Sequence, residues 1–411
     1  DEQRDDPDAR EDSEVEEKQA KRHKGKLRGF EFFRSIGSPK YVCAPMVDQS
    51  ELAFRMLTRK YGCELAYTPM MHSRLFKEND KYRKQYFTTC PEDRPLFVQF
   101  CGDNPTTMAE AAKFAQDQCD AVDINLGCPQ GIARKGHYGS FLLEEGDLVC
   151  SIVREMDAAL SVPVTCKIRL LKPGLENLQE TLNLCYGLQA AGCSLLTLHG
   201  RTKEMKGQAV GAADWEACRI VKSRLDIPVF VNGGIETFQD VERCMATTGC
   251  DGVMSSEALL ETPSLFSGKV VAQDQLAADY LDFAKLYDVK TSTVKAHLFH
   301  ILYAGLQFHV DIRAQLGSSK GLADISAAAA TLRQRRNQES AARGGVEDPV
   351  RPDRGWYLRY RRPLGDRAAE ASTRAERKAA VAAATAAASG AAPQACPQVD
   401  AKPEKPPEFE K

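Results

Sequence analysis

The stretch DINLGCPQ, residues 123–130, closes an apolar run at Asn125 and Leu126 and then turns through Gly127, Cys128 and Pro129. A cysteine fixed between glycine and proline on such a corner is poorly placed to fill a core. An ordinary thiol has a pKa of about 8.5 and is mostly protonated near neutral pH. The histidines near it in sequence suggest no ion pair that would hold it as a thiolate. Those conditions suit a proton donor better than a nucleophile. Cys101 and Cys166 differ, because they lie inside apolar runs and read as core fillers.

Other residues with chemical capacity close similar runs. Lys167 follows VPVTC, where a fixed cation would stabilise an anionic reduced flavin; a snorkelling surface lysine is the plainer alternative. Gln99 carries an amide that both donates to and accepts from a planar heterocycle. His199, in LHGRT, is the only histidine at the end of such a run and reads as a ligand contact, against an ordinary structural histidine. Arg169 and Arg201 flank it and are suited to gripping a substrate anion. Gly233 and Gly234 end VFVNGG before a helical stretch. They let a backbone approach a phosphate, or simply make a turn.

These residues need a scaffold that brings them to one face. Eight short apolar runs recur, at 41–46, 64–70, 95–101, 120–126, 162–170, 194–200, 227–234 and 251–256. Most are separated by stretches of helical period, such as NPTTMAEAAKFAQDQC. Nearly continuous apolar strands alternating with helices indicate a parallel sheet covered on both faces. Eight units in roughly 220 residues suit an α/β fold of the (β/α)8 TIM barrel type, whose chemistry sits at the C-terminal ends of the strands. A doubly wound open sheet would want a glycine-rich fingerprint after its first strand, and APMVDQS is not one. The barrel is expected over 38–268 and a small helical domain over 269–338, built from three amphipathic helices. Residues 1–37 and 339–411 read as disordered tails, the first charged and the second rich in Arg, Ala and Pro.

Composition narrows the class. The 14 cysteines include no C-x-x-C pair and no disulfide framework, which points to a reducing compartment and away from a metal site. No apolar run is long enough to span a membrane. The acidic start is neither a signal peptide nor a typical transit peptide, and it lacks Met, as a fragment or processed form would. A cytoplasmic location is expected, with KRHKGK leaving room for a nuclear share.

The segments APMVDQSELAFRML, YTPMMHS, PLFVQFCGDNP, DAVDINLGCPQGIARKGHYGSFLL, VPVTCKIRL, LLTLHGRTKEMKG and VFVNGGI, in that order, resemble the dihydrouridine synthases over residues 40–310. NLGCPQ with RKGHYGSFL, and HGRTKEMKG, are most similar to the eukaryotic branch acting on D-loop positions 16 and 17 of tRNA. The resemblance implies a flavin mononucleotide (FMN) barrel that reduces uridine in tRNA with NADPH or NADH; no fingerprint separates the two reductants. It implies hydride delivery from the flavin to C6 of the uracil and a proton from Cys128 to C5. Flavin contacts map to Pro45, Met46, Val47, Gln99, Lys167, His199, Asn232, Gly233 and Gly234. Asn125 falls beside the substrate uracil. Where many members carry a Gly-Arg phosphate pair, this chain has Ser256 and Glu257, so an arginine's charge is missing there. Lys295 and His297, with Arg333, Arg335 and Arg336, are the candidate tRNA backbone contacts, against a merely solvated basic face. RGWYLRYRRP, with Trp356, Tyr357 and Tyr360, offers further stacking surfaces. Two rival functions remain at this stage: an FMN reductase of a free pyrimidine or small enone, and a non-catalytic flavin-bearing tRNA-binding protein.

Overall fold

The computed structural model describes residues 25–206 and 210–342. Its centre is a closed parallel barrel of eight strands. They are β1 (Tyr41–Cys43), β2 (Leu65–Tyr67), β3 (Leu96–Cys101), β4 (Ala121–Leu126), β5 (Val164–Arg169), β6 (Cys193–His199), β7 (Val229–Asn232) and β8 (Gly252–Ser255). Each strand pairs with the next in sequence, and β8 returns to β1 through Val42↔Met254 and Cys43↔Ser255. A two-residue strand, Met71–His72, adds to β3 beyond the ring. Strands β3, β4 and β5 are buried at every position, which is why they appear in sequence as unbroken apolar runs instead of alternating ones.

The strand starts are closed by a helix, Gly29–Ser35. Phe32 stacks on Phe97 with ring centroids 5.8 Å apart, and Phe33 meets Phe230 edge-on at 6.0 Å. Both pack in one cluster with Leu65, Ala121 and Leu195. Just before this helix, Lys26 bonds the carbonyls of Asp157 and Leu160 and pairs with the Asp157 carboxylate at 2.7 Å. The expected charged tail over 1–37 is therefore corrected: from about residue 25 the chain is docked, because two phenylalanines plug the barrel floor.

Beyond the barrel come helices at Gln273–Leu286, Thr291–Ile301, Tyr303–Leu306, Val310–Ser318 and Leu322–Ala342. The periodic stretch 293–316 reads as one helix, but it is broken into three. Gly305, in the middle piece, faces Leu332 of the Leu322–Ala342 helix at ordinary contact distance. These helices are latched to the barrel through the connection after β1. The Glu51 carboxylate accepts from Tyr280 Oη at 2.8 Å and from His297 Nε2 at 2.9 Å. Phe54 stacks on the His297 ring at 4.5 Å. Both terminal tails, including RGWYLRYRRP, lie outside the described residues. Among the described residues no helix is long and apolar enough to cross a membrane, and no His/Cys/Asp/Glu group could hold a metal.

The barrel plug gives the first test. Phe32→Ala is expected to lower stability by about 3–5 kcal/mol, as deletion of a buried aromatic side chain does. Urea denaturation would show this, and an unchanged midpoint would mean that the helix does not close the floor.

Candidate functional site

The C-terminal ends of the strands form a mouth. Its chemistry begins with a relay of hydrogen bonds inside the barrel. The Asp123 carboxylate accepts from Thr165 Oγ1 at 2.6 Å and from Gln99 Nε2 at 2.8 Å. Gln99 Oε1 accepts from Asn125 Nδ2 at 2.8 Å. Asn125 Oδ1 then accepts the backbone N–H groups of Gly127, at 3.2 Å, and Cys128, at 3.0 Å. The Gly-Cys-Pro corner is thus clamped by the last polar side chain of β4.

The clamp has a second side. The Cys128 carbonyl accepts from Ser140 N–H at 3.1 Å and Ser140 Oγ at 3.0 Å. Gly139, at φ +70°, permits this approach, since a Cβ there would sit 2.7 Å from the Cys128 oxygen. Arg169 Nε donates to the Gly127 carbonyl at 2.7 Å, and Lys206 Nζ to the Pro129 carbonyl at 2.7 Å. The half-buried Cys128 packs beside Cys101, Tyr138 and Phe141.

Next to this corner lies a cavity of about 250 Å³, walled by Pro45, Lys167, His199, Asn232, Gly233 and Ser256 among others. Gly233 and Gly234 have φ of +98° and +86°. A Cβ on Gly233 would meet His199 Cδ2 at 2.7 Å, so only glycine fits this turn. Trp215 Nε1 fixes the turn by donating to the Gly233 carbonyl at 3.0 Å, and Asn232 Nδ2 donates to Met254 O at 2.9 Å. His199 Nε2 lies 3.2 Å from an Arg201 guanidinium nitrogen. A guanidinium only donates, so this contact places the ring's proton on Nδ1.

Burial shapes the electrostatics. It lowers the pKa of Lys167 to about 7, helped by the Arg169 charge and opposed by Asp123 and Cys128. Arg169 is lowered to about 10 by burial and by Arg201, which leaves it charged at neutral pH. Asp123 is pushed up to about 6 by burial, against its bonds from Gln99 and Thr165 and the charge of Lys167. A wall carrying Lys167, Arg169 and Arg201, with a glycine turn that leaves space at one end, fits an anionic, phosphate-bearing heterocycle.

Most of the expected residues come together here. Gln99 is fully buried with its amide turned to Asp123 and Asn125. Arg169 and Arg201, the expected anion grip, both line the cavity. Arg169 bonds the carbonyls of Gly127 and Thr202, and Arg201 bonds that of Gly211, so both brace the mouth loops while lending charge to the cavity wall. Met46 is tied to Ser50, whereas Val47 is exposed. Glu257 opens a short helix, Glu257–Glu261, at the cavity edge beside Ser256.

His297 is corrected as a tRNA contact by its burial, whereas Lys295 stays partly exposed. His297 is wholly buried between Phe54 and Tyr280, and Lys295 Nζ binds the carbonyls of Gly317 and Ser319. Arg333 and Arg335 are on the outer helix, paired with Asp274 and Asp311. Sequence reading missed Asp123, Thr165, Ser140 and Trp215. The signal for Asp123 was present, because a carboxylate inside the apolar run DAVDINL is costly unless it is bonded.

A family model described as dihydrouridine synthase matches residues 42–347. A mouse protein named tRNA-dihydrouridine(16/17) synthase [NAD(P)(+)]-like is 47% identical over 330 residues, which cover 80% of this chain and 68% of the relative. The Saccharomyces cerevisiae tRNA-dihydrouridine(16/17) synthase [NAD(P)(+)] is 43% identical over 309 residues, covering 71% and 72%. A human protein named tRNA-dihydrouridine(20a/20b) synthase [NAD(P)+]-like is 36% identical over 275 residues, covering 66% and 84%.

The buried Lys167 charge has a measurable signature. Its pKa is about 7 in the fold against 10.5 for an ordinary lysine. Between these values the unfolded chain holds a proton that the folded chain has released, so stability falls as pH is lowered toward 7. Lys167→Met is expected to be more stable than the parent near neutral pH, with the gap closing toward about pH 10. Denaturation curves across that range check it, and a gap independent of pH would contradict the buried-charge assignment.

Proposed function

The chain belongs to the dihydrouridine synthase family, and from that premise we propose that it reduces uridine to 5,6-dihydrouridine in tRNA, at D-loop positions 16 and 17. The observation that carries the mechanism is the clamped corner at Asn125, Gly127 and Cys128, which holds a thiol beside a cationic cavity. The positional assignment is supported by the higher identity to the 16/17 relatives, 47% and 43%, than to the 20a/20b relative at 36%. The same reading locates the chain with tRNA in the cytoplasm.

The cavity suits flavin mononucleotide. Gly233 and Ser256, which line it, would hold its phosphate end with Gly234 completing the turn, and Lys167 and His199 would face the rest. Bound there and reduced by NADPH or NADH, the flavin would supply a hydride, two electrons with one hydrogen, to C6 of the uracil. The missing phosphate arginine at Glu257 is offset by the charges of Arg169 and Arg201 in the same wall.

The chain's own residues do the rest. Cys128 carries a proton on Sγ and gives it to C5 of the uracil. Asn125 fixes the backbone from which that thiol projects, so proton and base meet without a search for geometry. Lys167 meets negative charge as it accumulates in the cavity, and an anion there would draw its pKa back up. Arg169 ties the Cys128 corner to the β6 end through Gly127 and Thr202. A base paired or stacked in tRNA must be taken out of the stack to reach this mouth.

The test uses purified protein, unmodified tRNA and NADPH, with dihydrouridine mapped by position. The parent should modify 16 or 17. Cys128→Ala should slow product formation by roughly 10²–10⁴-fold, the usual contribution of a general acid, with flavin content unchanged. Product at other positions would move the site assignment while keeping the chemistry. A fully active Cys128→Ala variant would remove Cys128 as the acid, and no dihydrouridine from the parent would overturn the function.

A further inference from the structure

A second cavity, of about 670 Å³, lies in the helical region and has no part in the chemistry above. Phe299 and His300, from the Thr291–Ile301 helix, form one wall. Tyr303 and Gln307 continue it, and Val310 and Arg313 face them from the Val310–Ser318 helix. No carboxylate lines it among the described residues. Burial, with His297 nearby, lowers the pKa of His300 to about 4, so its ring is neutral at physiological pH. Flat rings, an amide and one arginine, with no acid in the lining among the described residues, suit a planar, hydrogen-bonding group that carries a phosphate.

The groove and the mouth are neighbours across one loop. Gln49 Nε2 lies 3.2 Å from His300 Nε2, while Pro45, four residues earlier, walls the cationic cavity. Four residues of chain span at most about 14 Å. Gln49 is held in that loop by its N–H bond to the Met46 carbonyl at 3.1 Å, and Glu51 anchors the loop to Tyr280 and His297. One short, doubly tethered loop thus separates the two cavities, and an RNA strand feeding a base into the mouth has its neighbouring nucleotides beside the groove.

We propose that this groove receives an unstacked nucleobase of the tRNA D-loop, close in sequence to the target uridine, on the aromatic wall of Phe299 and Tyr303 with Arg313 at its phosphate. The inference rests on the reading of the chain as a uridine reductase of tRNA. It adds a specificity site, because a base seated here sets which uridine arrives at Cys128.

The experiment uses the full, flavin-loaded chain and unmodified tRNA transcripts, including transcripts made abasic at single D-loop positions. Affinity is read by fluorescence anisotropy and dihydrouridine is mapped by position. Tyr303→Ala should weaken binding roughly 5- to 150-fold, the range for loss of one base–aromatic stack, and Tyr303→Phe should keep the parental affinity. One abasic position should cost the parent a similar factor and cost Tyr303→Ala nothing more. Arg313→Ala, at an exposed position, should weaken binding and flatten its salt dependence, so the test survives if Tyr303→Ala fails to fold. Parental affinity in Arg313→Ala together with indifference of the parent chain to every abasic position would overturn the proposal while leaving uridine reduction intact. Absence of any reduction by the parent would instead remove the functional reading, and the groove's role with it.

Discussion

The mouth of this barrel depends on which way two amide groups point. Asp123 is buried and accepts hydrogen bonds, so the end of Gln99 that faces it must be the NH₂. That turns Gln99 Oε1 outward, where it takes the NH₂ of Asn125. Asn125 is then left with its oxygen toward the corner, and only an oxygen can accept the N–H groups of Gly127 and Cys128. A carboxylate in the barrel interior therefore sets the polarity of a relay that ends at the thiol. Thr165 and the Thr68 hydroxyl, which accepts Gln99 N–H at 3.0 Å, hold the inner end in place. Each member is buried, so a broken link leaves an unsatisfied polar group, which costs more than the bond itself gained.

The second constraint is charge. Lys167, Arg169 and Arg201 are all nearly buried around one cavity, with Asp123 below them. Burial first, and the neighbouring positive charges second, lower the pKa values of Lys167 and Arg169, so the wall is costly and in part self-repelling. A bound anion relieves that repulsion, so ligand binding and fold stability are coupled in this region. The arginines meet part of their own cost by donating to loop carbonyls, which turns excess charge into loop order.

The sequence made the barrel legible because its strands are covered on both faces, leaving apolar runs that need no partner to be recognised. The Gly-Cys-Pro corner and the double-glycine turn were legible for a related reason: each depends on a local backbone property. What stayed hidden depended on distant partners. His297 looks like part of a basic helix face until Glu51, 246 residues away, is found against it. Lys295 looks free until the carbonyls of Gly317 and Ser319 arrive. The helix at Gly29–Ser35 follows a highly charged stretch, and its two phenylalanines gain meaning only where a barrel floor needs filling. The turn of the Gln99 amide toward Asp123 and Asn125 stayed hidden because a position is visible in sequence and a rotamer is not.

The central claim is that the buried relay acts on the reaction through Cys128 alone. A double-mutant cycle on the single-turnover rate of dihydrouridine formation tests it most directly. Asn125→Ala and Cys128→Ala would be measured separately and together, with flavin content checked in each. If Asn125 works by placing the thiol, the double variant will be no slower than Cys128→Ala alone. If the two effects multiply, Asn125 contributes by a route independent of Cys128, and the relay is not the device that positions the acid.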